Sequence, residues 1–478
     1  MLRFIRPAAA CCMLLGLAAA FPIAVLASDG TPSGWPAAHL QAAFLGLLAP
    51  LALVLLAVGA TPPDEASEVV ATALGALAVG IVAYVACGFA FEFGGLGLRV
   101  AWPGLAGLVA EWSPLDPTLG LGWGAIGLQG FFLSGAAATP DAYALAAVQL
   151  PAVAVAVLIP SLALARRVNR AVLLGVAAAM GGLLFPLVGN WVWGGGWLAL
   201  LGANAGLGHG FVDLTGSATL HLLGASAALA GILIFGRRRR PAPGPAALPP
   251  AHFPVFMLIG ALMAPLGWLG LALANPLVSP DLPWGLVAVN LTLAAAGGLA
   301  PGLFYSWLAT GRVDALLGAR GLVAGLVAGS ASCGFVPPWA ALAAGLVAGA
   351  ILPFFLYWVE HGLRWHDPNG ALATHGIPGL IGTLWLALAA DGRWGAGWNA
   401  VEQRGFGAQG VAGLVVAPGH ISDFGQFYAQ LAGLAGILVL ALAIPLVAFG
   451  LGAAIQWLGS RLAGGRRLAA AARNHRHP

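Results

Sequence analysis

The sequence predicts an all-α, polytopic membrane protein of about eleven transmembrane helices with an inverted internal repeat. Three observations carry this prediction. Charge is too sparse for a water-facing surface, apolar stretches of spanning length recur along the chain, and two aspartate–histidine segments enter the bilayer from opposite faces.

The composition comes first. Of 478 residues, 60% are hydrophobic and 8% charged, and the mean hydropathy is +0.92. A soluble domain carries about 25% charged residues, so a chain this poor in charge needs lipid as a second solvent. The 71 glycines are about twice the usual share. Helices in lipid are held by close backbone packing, which glycine and alanine permit. The 17 tryptophans, against 5 tyrosines, are candidates for the interfacial belt.

All 20 basic residues are arginine, and the net charge is +4. They sit in short interhelical runs rather than along a binding stripe, so no nucleic-acid partner is expected. Cys11 and Cys12 lie in the N-terminal segment, and Cys87 and Cys333 lie in apolar stretches. That spacing suggests neither a disulfide framework nor a metal site. Residues 1–27 read as a signal peptide, with Arg3 and Arg6 before an apolar run and Val25 and Ala27 at the cleavage rule. A membrane domain over 28–460 and a short basic cytoplasmic tail over 461–478 complete the organisation.

About 20 apolar residues cross the hydrocarbon core. The expected spans are 38–60, 66–92, 141–165, 172–193, 213–236, 253–274, 284–309, 313–332, 337–360, 368–390 and 427–458. The gaps 93–140 and 391–426 are expected to be surface loops. With this count, Arg166, Arg167, Arg170, Arg237 to Arg240, Arg312, Arg320, Arg364 and the arginines of the tail share one side. Arg99, Arg393 and Arg404 take the other. The positive-inside rule places the N-terminus outside and the C-terminus in the cytoplasm. The acidic first cytoplasmic loop, Thr61 to Glu68, contributes nothing to this bias.

Ionisable residues inside spans are costly and usually face a bundle interior. One segment reads Asp213-Leu-Thr-Gly-Ser-Ala-Thr-Leu-His221, and another reads Asp367-Pro-Asn-Gly-Ala-Leu-Ala-Thr-His375. Each places histidine eight residues after aspartate. Each aspartate suits a helix N-cap, and Pro368 suits a first turn. Eight residues of helix rise roughly 12 Å, close to half of the roughly 30 Å core. The two segments descend from opposite faces, so both histidines approach the midplane, as in an inverted repeat with a site at its centre. A packing role for each histidine is the plainer alternative. A metal held by this pair alone is a poor site, and no cofactor is expected.

These segments resemble the Amt/Mep/Rh ammonium transporters. The run Asn190-Trp-Val-Trp193-Gly-Gly-Gly-Trp197 is similar to the family's tryptophan–glycine motif, and Asp213 to His221 is similar to the segment carrying its first pore histidine. Asp367-Pro368 with His375-Gly376 resembles the second, and Gly321 to Gly325 with Ser332 to Phe335 resembles the eighth span. The resemblance covers most of residues 80–460.

The resemblance implies an eleven-helix homotrimer in the inner (plasma) membrane with a narrow pore through each subunit. Ammonium would be recruited outside, deprotonated, passed along His221 and His375, and reprotonated inside. Trp193 would then attract the cation at an outer site, and Asp213 would support that site. Asn275 aligns with the hydroxyl that completes it. The family's two gate phenylalanines align with Ala152 and Leu271, and the usual end of the first span is missing at Leu55 to Thr61. Phe131 and Phe132 in the outer loop are candidates to replace the lost aromatics. Glu92 falls at an apolar family position, is expected to face the surface, and is given no role. A cytoplasmic trimeric nitrogen-signalling regulator is a possible partner for the arginine-rich loops.

Two other functions remain open from the sequence: a non-transporting ammonium sensor, and a channel for another small molecule such as carbon dioxide or methylamine. The tail holds no signalling domain. An enzyme is not expected: the chain has no His-Glu-x-x-His, no nucleophile elbow and no paired carboxylates at a span centre, and His361 and His366 near Glu360 lack zinc-type spacing.

Overall fold

The structure, a computed structural model, describes residues 37–119, 122–165, 167–235, 251–274, 282–365, 367, 369–401 and 409–474. The expected signal peptide, the Arg237 to Arg240 run and Asn275 lie outside the described residues.

Among the described residues, ten helices are long and apolar enough to span a bilayer. They are α1 (Ala38–Gly59), α2 (Ala66–Leu98), α3 (Pro140–Leu164), α4 (Arg170–Val192), α5 (Ser217–Phe235), α6 (Pro254–Ala274), α7 (Trp284–Thr310), α9 (Pro338–Gly362), α10 (Leu372–Ala389) and α11 (Phe424–Ala453). The expected eighth span is the shorter apolar helix α8, Ala315–Ser330. Its 16 residues reach only about 24 Å. The chain from Ala331 to Val336 completes the depth without helix and is buried throughout. Irregular backbone at membrane depth is tolerated when protein rather than lipid surrounds it.

Local chemistry sets the helix starts. Thr139 accepts the Ala142 N–H ahead of α3, with Pro140 in the first turn. Asn169 accepts the Val172 N–H ahead of α4, and Asp314 accepts the Leu316 and Leu317 N–H groups ahead of α8. Small residues set the packing. A Cβ on Gly267 of α6 would fall 2.2 Å from the Ala49 nitrogen of α1, and one on Gly270 would fall 2.2 Å from the Gly46 nitrogen. Only glycine lets these two backbones approach so closely. α7 packs along both α8 and α9, and a Cβ on its Gly298 would fall 2.1 Å from the Gly321 carbonyl oxygen of α8.

The loop after α2 is more ordered than a plain surface loop. It carries a short antiparallel hairpin of β1 (Glu111–Trp112) and β2 (Ile126–Gly127). Arg99 pairs with Glu111 and donates from Nε to the Gly195 carbonyl. Trp197 N–H donates to the Gly124 carbonyl at 2.7 Å, and Trp191 Nε1 to the Ala125 carbonyl at 2.8 Å. The hairpin is thereby latched onto the tryptophan–glycine run that follows α4.

Two expectations about charged residues need correction. Arg320, expected at or near the seventh-to-eighth turn, lies within α8, 7% exposed. Glu92 does not face the surface: its exposure is 0%. Tyr84 Oη donates to Glu92 Oε2 at 2.8 Å, and Asn190 Nδ2 donates to the Glu92 carbonyl at 2.9 Å. Both residues follow one logic. An ionisable side chain in a span is expensive against lipid and turns toward protein partners.

Candidate functional site

The two aspartate–histidine segments share a backbone design that reaches beyond their spacing. Asp213 is fully buried and spends both carboxylate oxygens on a cap. Oδ1 accepts the Gly216 and Ser217 N–H groups at 2.9 and 2.7 Å. Oδ2 accepts the Ala218 and Thr219 N–H groups and the Thr219 hydroxyl, each at 2.9 Å. Asp367 repeats the arrangement: Oδ1 accepts from Ala371 N–H at 3.0 Å and Oδ2 from Leu372 N–H at 2.8 Å.

A glycine stands three residues after each aspartate in the left-handed region, Gly216 at φ +93° and Gly370 at φ +66°. A wide π-type turn follows in both, Ser217–Leu222 and Leu372–Gly376, and it carries the histidine. Each turn runs into an α-helical segment of 13 residues, Leu223–Phe235 and Ile377–Ala389. Such turns are uncommon and concentrate at functional sites.

The turns bring His221 and His375 together. Their ring centroids lie 5.1 Å apart with planes 9° from parallel. On the other side of His221 stands Trp268 of α6, at 5.3 Å and 3°. Three near-parallel rings thus line up through the interior. Trp268 Nε1 donates to Ser330 Oγ at 3.1 Å, which ties α6 to the end of α8.

His221 is fully buried and His375 is 7% exposed. His221 Nδ1 and Nε2, and His375 Nδ1, have no hydrogen-bond partner among the described residues. A buried polar group without a partner costs free energy, so these nitrogens are available to a small solute or to a shared proton. His375 also lines a cavity of about 50 Å³, with Ala57, Ala60, Arg320, Asn369 and Thr374 among its walls. That is room for one or two waters.

The remaining predicted residues fall around this pair. Trp193 Nε1 donates to the Asp213 carbonyl at 2.9 Å, and its ring meets Phe185 at 6.3 Å. Trp193 is thus tied to the start of the first histidine segment. Ala152 of α3 and Leu271 of α6 are both buried. A Cβ on Gly46 of α1 would touch Pro151 and the Leu271 nitrogen, so the two positions flank α1 at one level. Phe131 packs edge-on against Phe91 of α2, with centroids 5.6 Å apart, and Phe132 is 72% exposed.

Sequence reasoning missed Trp268 and Arg320. The signal for Trp268 was a tryptophan at mid-span, away from either interface. For Arg320 it was an arginine six residues inside an apolar run.

Apolar helices that bury two aspartate-capped turns around paired imidazoles define a polytopic membrane protein. Comparison with known proteins makes this specific. The model of the Ammonium Transporter Family matches residues 37–458. Ammonium transporter Amt2 of Archaeoglobus fulgidus is 31% identical over 357 residues, covering 74% of this chain and 70% of that protein. Ammonium transporter Amt2 of Haloferax mediterranei is 35% identical over 237 residues, 46% of this chain and 50% of that one. This chain belongs to the ammonium transporter family.

Solved structures agree on the fold. A sensor Amt protein superposes with a TM-score of 0.67 at 23% identity, covering 86% of this chain and 91% of that one. Mep2 of Candida albicans gives 0.67 at 22% identity, over 87% and 84%. The curated relatives are named as transporters, not enzymes.

Proposed function

We propose that this protein carries ammonium or ammonia across the plasma membrane along a pathway in each subunit that passes His221 and His375. The observation that carries the reading is the near-parallel pair of buried imidazoles, 5.1 Å apart, with unpartnered nitrogens. They stand at the meeting point of two inverted segments in a chain of the ammonium transporter family.

The roles are those the family resemblance implies, and the geometry of the described residues supports them. The face of Trp193 attracts the cation on the outer side, and Asp213 holds that tryptophan through its carbonyl while capping the first histidine turn. Asn275 completes the outer site. Ammonium releases a proton before the narrow stretch, because a bare cation is expensive in an apolar interior. The histidine pair then offers neutral ammonia a polar path, and a proton held between the rings leaves one donor and one acceptor facing it. Asp367 fixes the second turn as Asp213 fixes the first. Ala152 and Leu271, where the family places aromatics, leave a wider outer approach. The excess of arginine on one side sets the N-terminus outside and the C-terminus in the cytoplasm. Three copies assemble in the membrane, and the arginine-bearing loops offer a docking face to a trimeric nitrogen-signalling regulator.

Growth tests the reading. Expressed in a cell stripped of its own ammonium transporters, the protein restores growth on limiting ammonium, whereas His221→Ala changes the rate or abolishes it. Failure to restore growth by membrane-inserted wild-type protein, with ammonium still bound specifically, would instead mark a sensor.

A further inference from the structure

The stretch that leads into the first histidine segment is held by side chains of α11. Its backbone is not helical over 207–216, and buried N–H and C=O groups need partners. Gln426 and Gln430 supply them. They lie four residues apart, on one face of the helix, and both are 0% exposed. Gln426 Oε1 accepts His209 N–H at 2.9 Å, and its Nε2 donates to the Gly210 carbonyl at 2.8 Å. Gln430 Oε1 accepts Val212 N–H, and its Nε2 donates to the Val212 carbonyl, both at 2.9 Å. Val212 is thus gripped at both backbone groups immediately before Asp213.

Gln430 reaches further. Its Nε2 also donates to the Thr383 carbonyl of α10 at 3.2 Å, and Thr383 lies eight residues after His375 on the same helix. One side chain, on a span that carries neither histidine, is therefore bonded to both histidine segments. Gln426 Nε2 donates to Gln430 Oε1 at 3.2 Å, so the Gln430 amide uses two donor and two acceptor positions, its full capacity. A flipped amide would set its NH2 against the Val212 N–H and its oxygen against two carbonyls, so the orientation is fixed by the bonds.

The two segments meet closely where Gln430 joins them. A Cβ on Gly379 of α10 would fall 2.5 Å from the Ser217 carbonyl oxygen, and one on Gly382 would fall 2.5 Å from Ser217 Oγ. Ser217 opens the wide turn that carries His221. Glycine permits this approach but supplies no directional bond to fix its register. The amide of Gln430 supplies one.

We propose that Gln430 is a positioning residue that sets the spacing and register of His221 against His375, by holding the start of one segment and the helix of the other. Asp213 passes the hold along the first segment: its carboxylate caps the His221 turn, and its carbonyl accepts Trp193 Nε1. The assignment rests on the transport reading for its purpose, since the spacing of the rings matters where a solute passes them.

Solid-state NMR of the full chain in lipid bilayers, with isotope-labelled histidine, reads the spacing without relying on transport. The cross-peak between the two rings, 5.1 Å apart, is assigned by its loss in His221→Ala and in His375→Ala. Gln430→Met keeps the length of the side chain without the amide and is expected to lose most of this cross-peak. Gln426→Met removes buried hydrogen bonds from the same stretch but none to α10. It is expected to keep the cross-peak while losing similar thermal stability. If Gln430→Met does not fold, Gln430→Asn decides: it keeps an amide one methylene too short to hold both segments, and the cross-peak weakens. A cross-peak of unchanged intensity in the folded Gln430 variant, or one lost equally in Gln426→Met, overturns the proposal. Ammonium flux is measured on the same preparations. Its maximal rate in Gln430→Met is expected to fall on the order of tenfold or more, because a misplacement of about 1 Å can cost about a hundredfold; an unchanged rate overturns its part in transport. A wild-type protein without flux, with the cross-peaks behaving as stated, removes the transport reading and leaves the positioning assignment standing.

Discussion

On the proposed function, Ala152 and Leu271 set, at the scale of single residues, how strongly the outer site would hold a cation. Aromatic faces attract cations by roughly 0.5–2 kcal/mol per contact, and neither position supplies one. Phe131 packs on Phe91 and Phe132 is exposed. Ala152→Phe with Leu271→Phe is therefore expected to lower the half-saturating ammonium concentration several-fold in a flux assay; an unchanged value contradicts this explanation. Glu92 makes a second residue-scale prediction. Its carboxyl accepts the Tyr84 hydroxyl inside the protein. Glu92→Ala strands that hydroxyl and is expected to cost about 1–3 kcal/mol of stability, whereas Glu92→Gln keeps an acceptor and costs less. Unfolding of the solubilised protein in denaturant compares the two, and equal losses would contradict the assigned bond.

Among elements, the closest approaches are made by glycine. α6 lies against α1 through Gly267 and Gly270, where any Cβ would collide with backbone. Gly267→Val is expected to destabilise the protein by at least the roughly 1–3 kcal/mol typical of overpacking. Gly285→Val, at the exposed start of α7 with open space around it, is expected to change little. Similar thermal shifts for both would contradict this packing account. The same scale shows what a sequence reader sees. Span boundaries were legible to within a few residues because hydropathy and length are directly written in the chain, as 66–92 against Ala66–Leu98 and 284–309 against Trp284–Thr310 show. The direction a side chain takes is not written in hydropathy. Glu92 looked like a surface charge, and tertiary packing alone turned it inward. The pairing of Asp213 with Asp367 was legible from spacing, but the wide turns that aim His221 and His375 at each other were not. They follow from two left-handed glycines acting with two caps.

The whole molecule is a bundle whose second half repeats the first upside down, with the buried histidine pair at the join. Its external faces keep large apolar side chains, among them Leu74, Val82, Phe304, Trp307 and Phe354, all exposed in one copy. Lipid and neighbouring copies are the surroundings such a surface needs. The assembly proposed is three subunits. Native mass measurement of detergent-solubilised protein is expected to give three times the mass of the single mature chain; a stable monomer would contradict it.

The central claim is that nitrogen passes the histidine pair, and ammonium-evoked current in proteoliposomes tests it most directly. Wild-type protein is expected to give a current that saturates with ammonium, and His221→Ala and His375→Ala are each expected to change it markedly while the protein remains folded. A saturating current of unaltered size and ammonium dependence in both variants would contradict the account.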